Sequence, residues 1–121
     1  MRQGTVVRVA DNSGARYVRI IKVLRKSPKG YGIIGDQLIA SVLHVNPKKK
    51  VKKGQIVRVM VIRSSFPILR EDGQQLKFQS SAVVVVDKNG TPRSTKIYGP
   101  TVRELRKKGL IRLISLSTIA I

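Results

Sequence analysis

The sequence predicts a small, mainly β protein built around a closed β-barrel. Three observations lead to this fold class: apolar residues alternate with a period of two along most of the chain, turn residues interrupt the alternation at short intervals, and the length of 121 residues suits one domain. Many short strands in one small domain favour a sheet that closes on itself. We expect a single domain over residues 1–121, with the barrel in about residues 1–86 and a C-terminal region in about residues 87–121.

Five stretches carry the pattern of a β-strand. In the first, residues 3–9, Val7 and Val9 fall on one face and Val6 and Arg8 on the other. The other four predicted strands are residues 15–24, 36–45, 55–63 and 82–86. The last of these is apolar on both faces, which is typical of a strand in the middle of a sheet.

A hairpin and a short helix are expected in addition to these strands. Residues 68–78 contain an Asp-Gly pair, a strong signal for a hairpin turn. Near the C-terminus the apolar residues no longer alternate with a period of two. Pro100 suits the first position of a helix and Gly109 suits a helix C-cap, which predicts a short helix over residues 101–108.

The charge of the chain points to a polyanionic partner. There are 25 Lys and Arg against 6 Asp and Glu, which gives a net charge of +19. In a compact free protein these positive charges repel one another. No helix-turn-helix, basic zipper or zinc module is visible, so folded or double-helical RNA is favoured over DNA. Aromatic residues are 4% of the chain and scattered, so we expect core or edge packing rather than base stacking from Tyr17, Tyr31, Tyr98, Phe66 and Phe78.

The densest group of cations is the lysine loop, residues 48–53, which lies between Pro47 and Gly54 and joins two predicted strands. A merely solvated loop is the alternative for any run of charges. A wider set of basic residues shares the expected role of binding phosphates: Arg16, Arg25, Lys26, Lys29, Lys48, Lys49, Lys50, Lys52, Lys53, Arg93, Lys96, Arg103, Arg106, Lys107 and Lys108.

The sequence contains no candidate site for catalysis, for a metal or for a cofactor. The chain has no cysteine and a single histidine, His44, and its aspartates lie in or beside predicted turns, where they bind backbone donors. We therefore expect no enzyme activity and no cofactor, with a small hydrolase using His44 or Asp36 as the remaining catalytic alternative. No run of apolar residues is long enough for a membrane span, so we expect no membrane partner. Strand-like alternation near the first residue argues against a signal segment and leaves open whether a presequence was removed.

Several motifs, in order along the whole chain, resemble those of the ribosomal protein L-fourteen family in its bacterial and organellar form. The motifs are VADNSGAR at residues 9–16, IGD at 34–36, VKKG at 51–54, AVVVVDKNG at 82–90, TKIYGP at 95–100, RELR at 103–106 and ISL at 114–116. The resemblance has no large gaps. It implies a five-stranded closed barrel with an added hairpin and short C-terminal helices.

The resemblance also implies a function and partners. The family is a structural constituent of the large ribosomal subunit that binds large-subunit rRNA directly and contributes to an intersubunit bridge with small-subunit rRNA. Its neighbours are ribosomal proteins L-three and L-nineteen, and a ribosome-silencing factor docks on its exposed face. The matching positions for that protein contact are Thr95, Lys96 and Arg112. A free RNA-binding regulator or chaperone that uses the same charges is the alternative from another class.

Two segments depart from the family pattern. Residues 78–82 read FQSSA where the family usually has Phe-Asp-x-Asn-Ala, and residues 117–121 read STIAI where it often has Ala-Pro-Glu-Val-Leu. Together with the strong basicity, these departures favour a mitochondrial copy, in the matrix, over a bacterial one. Bacterial cytoplasm and plastid remain open as alternatives.

Overall fold

The computed structural model describes residues 3–24, 34–47, 51–65, 68–69, 73–76, 78, 80–101 and 115–120. Within these residues the chain forms strands β1 (Val6–Val9), β2 (Ala15–Val23), β3 (Gln37–Val45), β4 (Ile56–Arg63), β5 (Ile68–Leu69), β6 (Gln75–Leu76), β7 (Ala82–Val86), β8 (Ile97–Thr101) and β9 (Ser117–Ala120). The five strands predicted for the barrel correspond to β1 to β4 and β7, with bounds that differ by a few residues at most.

Five strands close into a barrel in the order β1-β2-β3-β4-β7, which confirms the predicted fold class. The barrel is closed by β1 and β7, which pair in parallel with Arg8 opposite Ala82 and Val9 opposite Val83. The other four strand pairs are antiparallel. Closure joins the first and the last barrel strand, so neither is left as the edge of an open sheet.

The interior of the barrel is filled by aliphatic side chains. Successive residues of a strand point to opposite faces, and accordingly Leu38, Ala40 and Val42 of β3 are buried while their neighbours are partly exposed. All five residues of β7 are buried, as the apolar pattern on both faces predicts. Removing these side chains from water is the main stabilising contribution to the barrel.

A bulge in β2 changes which side chains face outward. Ala15 pairs with Val45 and Tyr17 pairs with His44, so three residues of β2 lie opposite two residues of β3. Arg16 is therefore an extra residue on its strand. The side chains of Arg16 and Tyr17 are therefore both exposed, although they are adjacent in a strand. The bulge puts a cation and an aromatic ring together on the outer surface.

The predicted hairpin is present as β5 and β6, which pair Ile68 with Leu76 and Leu69 with Gln75. Of the Asp-Gly pair expected to close the hairpin, Asp72 lies outside the described residues, and Gly73 has a positive φ of 84°.

The prediction that Pro100 begins a helix is wrong. Pro100 and Thr101 belong to β8, which pairs in parallel with β9 through Ile119 and Ala120. A two-stranded sheet consists of edge strands, and an edge tolerates a proline, which cannot donate a ladder hydrogen bond. Residues 102–108, the rest of the predicted helix, lie outside the described residues.

Candidate nucleic-acid interface

The start of β8 and the residues just before it bind to the turn between β1 and β2. The Tyr98 amide donates to the carbonyl of Ala10 at 2.6 Å, the Asn12 amide donates to the carbonyl of Lys96 at 3.3 Å, and Asp11 forms an antiparallel bridge with Ile97. Residues from distant parts of the sequence therefore share one surface beside the barrel.

Asn12 holds this segment with its side chain. Its Oδ1 accepts hydrogen bonds from the backbone amides of Thr95 at 3.1 Å and Lys96 at 3.2 Å, and its Nδ2 donates to Thr95 Oγ1 at 2.9 Å. Both Thr95 and Lys96 are exposed. Asn12 thus fixes the backbone of the segment while the Lys96 side chain extends along the surface.

Asp11 connects the same turn to the barrel. Its Oδ2 accepts from the Val85 amide at 2.8 Å, and its Oδ1 accepts from the Ser13 amide at 3.1 Å and the Ser13 hydroxyl at 2.6 Å. Burial raises the pKa of Asp11 above its usual 3.8, and these hydrogen bonds oppose that rise. The carboxylate is a structural group, as expected for an aspartate in a turn.

These contacts create a groove of about 650 Å³ on the outside of the barrel. The exposed side chains of Arg8, Arg16 and Lys96 line it, together with Tyr17 and Tyr98. Tyr17 is 42% exposed and Tyr98 is 55% exposed, so both rings are accessible to a ligand. We call these five residues and the space between them the basic groove.

A second cleft of about 480 Å³, the side groove, adjoins the basic groove. Arg16 and Tyr17 line both clefts, and the side groove adds His44 and Lys53. The rings of Tyr17 and His44 meet edge to face, with centroids 5.8 Å apart and an interplanar angle of 87°. A basic surface therefore extends from Lys96 past Arg16 to Lys53.

A further arginine lies next to this surface. Arg63 Nη1 donates to the carbonyls of Tyr98 at 3.0 Å and Pro100 at 3.2 Å. Its guanidinium packs against Gly99, which has a φ of 81°, and occupies the space that a Cβ there would need. Burial and the positive charge of Arg8 both lower the pKa of Arg63. A guanidinium remains protonated at neutral pH despite such a shift, so Arg8 and Arg63 add like charges to one region.

The structure brings together three of the predicted phosphate-binding residues: Arg16, Lys53 and Lys96 line the two clefts. Lys52 is exposed before β4, and Arg93 is exposed between β7 and β8. The remaining predicted residues lie outside the described residues, namely Arg25, Lys26, Lys29, Lys48, Lys49, Lys50, Arg103, Arg106, Lys107, Lys108 and Arg112.

Three residues of the basic groove are absent from the predicted set. Arg8 could have been included, because strand alternation puts it on the outer face of β1. The expectation of core or edge packing for Tyr17 and Tyr98 is wrong as to the core, since both residues are exposed, whereas Tyr98 does lie on an edge strand. Their presence in one groove depends on a bulge and on a long-range backbone contact, neither of which has a signal in the local sequence.

Metal-binding groups and membrane-spanning helices are absent from the described residues. No group of three or more His, Cys, Asp or Glu side chains there could hold a metal ion. In that same part of the chain, no helix is long and apolar enough to cross a membrane.

Comparison with known protein families gives a match that agrees with the motifs. The family model described as ribosomal protein L14p/L23e matches residues 1–121, which is the whole chain. The family consists of structural, non-enzymatic proteins. This chain therefore belongs to the ribosomal protein L14p/L23e family and is a structural protein of the large ribosomal subunit.

Proposed function

We propose that this protein binds large-subunit rRNA directly, with the basic groove and the side groove contacting the phosphate backbone. The observation that carries the proposal is the convergence of Arg8, Arg16 and Lys96 in one open groove of a chain with a net charge of +19. Like charges held together by the fold are costly until a polyanion neutralises them, and rRNA is the polyanion of the ribosome.

The rigid scaffold supports this assignment. Arg8 and Arg16 are carried by β1 and β2, which pair in the barrel, and the backbone of Lys96 is held by Asn12. Cations on a fixed scaffold match a phosphate arrangement without first losing backbone entropy. The lysine loop extends the same proposal beyond the grooves, since Lys53 belongs both to the loop and to the side groove.

We further propose contacts with other parts of the ribosome. These are a bridge to small-subunit rRNA, neighbouring positions for ribosomal proteins L-three and L-nineteen, and a contact for a ribosome-silencing factor at Thr95, Lys96 and Arg112. Support comes from family membership and from the exposure of Thr95 and Lys96 at the end of the basic groove. The Thr95 hydroxyl accepts from Asn12, so a partner there would meet a surface whose backbone is already ordered.

For the compartment, we propose the mitochondrial matrix, with bacterial cytoplasm and plastid as alternatives. The net charge of +19 and the departures at residues 78–82 and 117–121 support this choice. Antibody detection of the protein in fractionated organelles, with its ribosomes, tests it. Recovery with cytoplasmic or plastid ribosomes would contradict it.

Binding to deproteinised large-subunit rRNA between 50 and 200 mM salt tests the phosphate assignment. In the groove variant, Arg8→Gln, Arg16→Gln and Lys96→Gln are combined. Affinity falls as salt rises, so the slope of log affinity against log salt is negative. Each lost phosphate contact reduces the magnitude of this slope by about 0.7 to 0.9, so the groove variant should reduce it by up to about 3.

A control variant removes the same charge elsewhere on the surface. Arg19→Gln, Lys22→Gln and Lys88→Gln change exposed residues that line neither groove. The control should keep more of the salt slope and the affinity than the groove variant. Equal losses from the two variants would show that net charge, rather than the groove, carries binding.

A further inference from the structure

We propose that the basic groove binds one unpaired nucleotide of the rRNA, with its base stacked against the exposed rings of Tyr17 and Tyr98 and its adjoining phosphates at Arg8, Arg16 and Lys96. The inference deepens the proposed function and rests on it, because it names the RNA element that the groove recognises. It assigns a role to the two tyrosines that phosphate binding leaves unexplained.

The exposure of the two rings is the first argument. Phosphates are bound by charged and N–H donors, and such binding gains little from an aromatic face. Here the rings, 42% and 55% exposed, line the same groove as the cations. Aromatic faces beside cations are the combination that recognises single-stranded nucleotides, since every base offers a π face next to a phosphate.

The orientation of the tyrosines is the second argument. Tyr17 follows the bulge at Arg16, and its ring meets the ring of His44 edge to face. The backbone of Tyr98 donates to the Ala10 carbonyl and accepts from Arg63. The ring contact restricts the Tyr17 side chain and the two hydrogen bonds restrict the main chain at Tyr98, so part of the conformational entropy is already lost before a base stacks on the rings.

The size of the groove is compatible with one nucleotide. Its volume of about 650 Å³ lies within the range of roughly 300–1,000 Å³ that holds small organic ligands. Bases in an RNA duplex are stacked on each other, so an aromatic side chain reaches a base face where the nucleotide is unpaired. A bulged or looped-out nucleotide fits these requirements, whereas a continuous duplex leaves the rings without a partner.

The base should be bound with little regard to its identity. Of the two asparagine amides in the lining, those of Asn12 and Asn46, that of Asn12 already binds the backbone of Thr95 and Lys96 and the Thr95 hydroxyl. Stacking accepts any base. Replacing an unpaired adenosine by an unpaired guanosine should therefore change affinity much less than removing the unpaired nucleotide.

Two RNA probes and two matched variants test the inference. The probes are fluorescent RNA hairpins with the same stem, one fully paired and one with a single bulged adenosine, and affinity is measured by anisotropy at fixed salt. The test variant combines Tyr17→Leu with Tyr98→Leu. The control combines Tyr17→Phe with Tyr98→Phe, which keeps both rings and removes both hydroxyls.

We expect the wild-type protein and the phenylalanine variant to prefer the bulged hairpin. The leucine variant should lose about fivefold to 150-fold in affinity for the bulged hairpin, with its affinity for the paired hairpin and its salt slope nearly unchanged. Circular dichroism verifies that each variant is folded.

Equal affinity of the wild-type protein for the two hairpins would overturn the inference, and so would undiminished binding of the bulged hairpin by the leucine variant. In both cases salt-dependent binding that is sensitive to the groove variant would leave the proposed function standing. A different result would refute the proposed function itself. That result is no binding, or binding that does not depend on salt, to either hairpin and to large-subunit rRNA.

Discussion

Asp11 is a buried carboxylate whose two oxygens join the turn after β1 to β7. Asp11→Asn keeps the size of the side chain but converts one acceptor oxygen into a donor, so either the Val85 amide or the Ser13 donors lose their acceptor. The free energy of unfolding at pH 7 should fall by roughly 1–3 kcal/mol. Urea unfolding of the two proteins measures the change, and an unaltered midpoint would contradict the structural role of the carboxylate.

The cost of Asp11→Asn should depend on pH. Burial raises the pKa of Asp11 above 3.8, so the folded protein binds this proton more tightly than the unfolded chain does. The Asp11 contribution to wild-type stability is then full below the unfolded pKa and is lost as the pH rises through the folded pKa. Asparagine does not titrate, so the stability difference between wild type and variant should be larger at pH 3.5 than at pH 7. A difference that grows with pH would contradict the raised pKa.

Gly99 and Gly54 provide a matched pair for the packing of Arg63. Both have a positive φ, so alanine at either position costs about 1–2 kcal/mol in backbone strain. A Cβ at Gly54 meets nothing within 4 Å, whereas a Cβ at Gly99 displaces the Arg63 guanidinium from its two carbonyl partners. Gly99→Ala should therefore be more destabilising than Gly54→Ala by about 1 kcal/mol or more in denaturant unfolding. Equal effects would show that Arg63 moves aside without cost.

At the level of elements, the barrel strands follow from the sequence because their information is local. Each carries its own alternation and is bounded by turn residues, and even the fully buried β7 is recognisable from its unbroken run of apolar residues. The parallel sheet of β8 and β9 is different. Gly99 and Pro100 are unfavourable in strands, and their pairing with residues 117–120 is a long-range contact that no local pattern encodes.

The candidate interface likewise contains residues that follow from the sequence and residues that need the fold. Arg16, Lys53 and Lys96 follow from charge, since a strongly basic chain must present cations on its surface. Tyr17 and Tyr98 line one groove because of a β-bulge and a contact between the turn after β1 and the start of β8. Sequence composition therefore predicts the class of partner, while the arrangement that distinguishes an unpaired base from a phosphate needs the fold.

The lysine loop should contribute to RNA binding without contributing to folding. Changing Lys48, Lys49, Lys50, Lys52 and Lys53 to Gln removes five positive charges from the connection between two barrel strands. The salt slope for rRNA should fall and incorporation into the large subunit should weaken, while the thermal unfolding midpoint should not drop below that of the wild-type protein. An unchanged salt slope and unchanged incorporation would show that the loop is merely solvated.

The segment before β8 should be loosened by a single substitution. Asn12→Ala removes the acceptor of the Thr95 and Lys96 amides together with the donor to Thr95 Oγ1. Hydrogen exchange at these two amides, followed by NMR, should become faster while exchange in β7 remains slow. Affinity for rRNA should fall modestly, because Lys96 then has to be ordered on binding. Unchanged exchange at both amides would contradict the holding role of Asn12.

At the scale of the whole molecule, the closed barrel and the positive charge both suit a protein that binds a polyanion. A closed barrel builds an apolar interior without help from a partner, which leaves much of the outer surface available for cations. A net charge of +19 destabilises the compact protein by self-repulsion, and that cost is relieved when phosphates surround it. Stability of the isolated protein should accordingly increase with salt, through screening of the repulsion between its charges.

The most direct test of the account is sedimentation of the tagged protein from a native lysate through gradients at low and high salt. We expect the wild-type protein and the control variant in the large-subunit peak at both salt concentrations, because shape and charge act together in the assembled particle. The groove variant, with Arg8, Arg16 and Lys96 changed to Gln, should move toward the top of the gradient at high salt. Wild-type protein at the top of the gradient in high salt, or a groove variant retained as firmly as the wild type, would contradict the account.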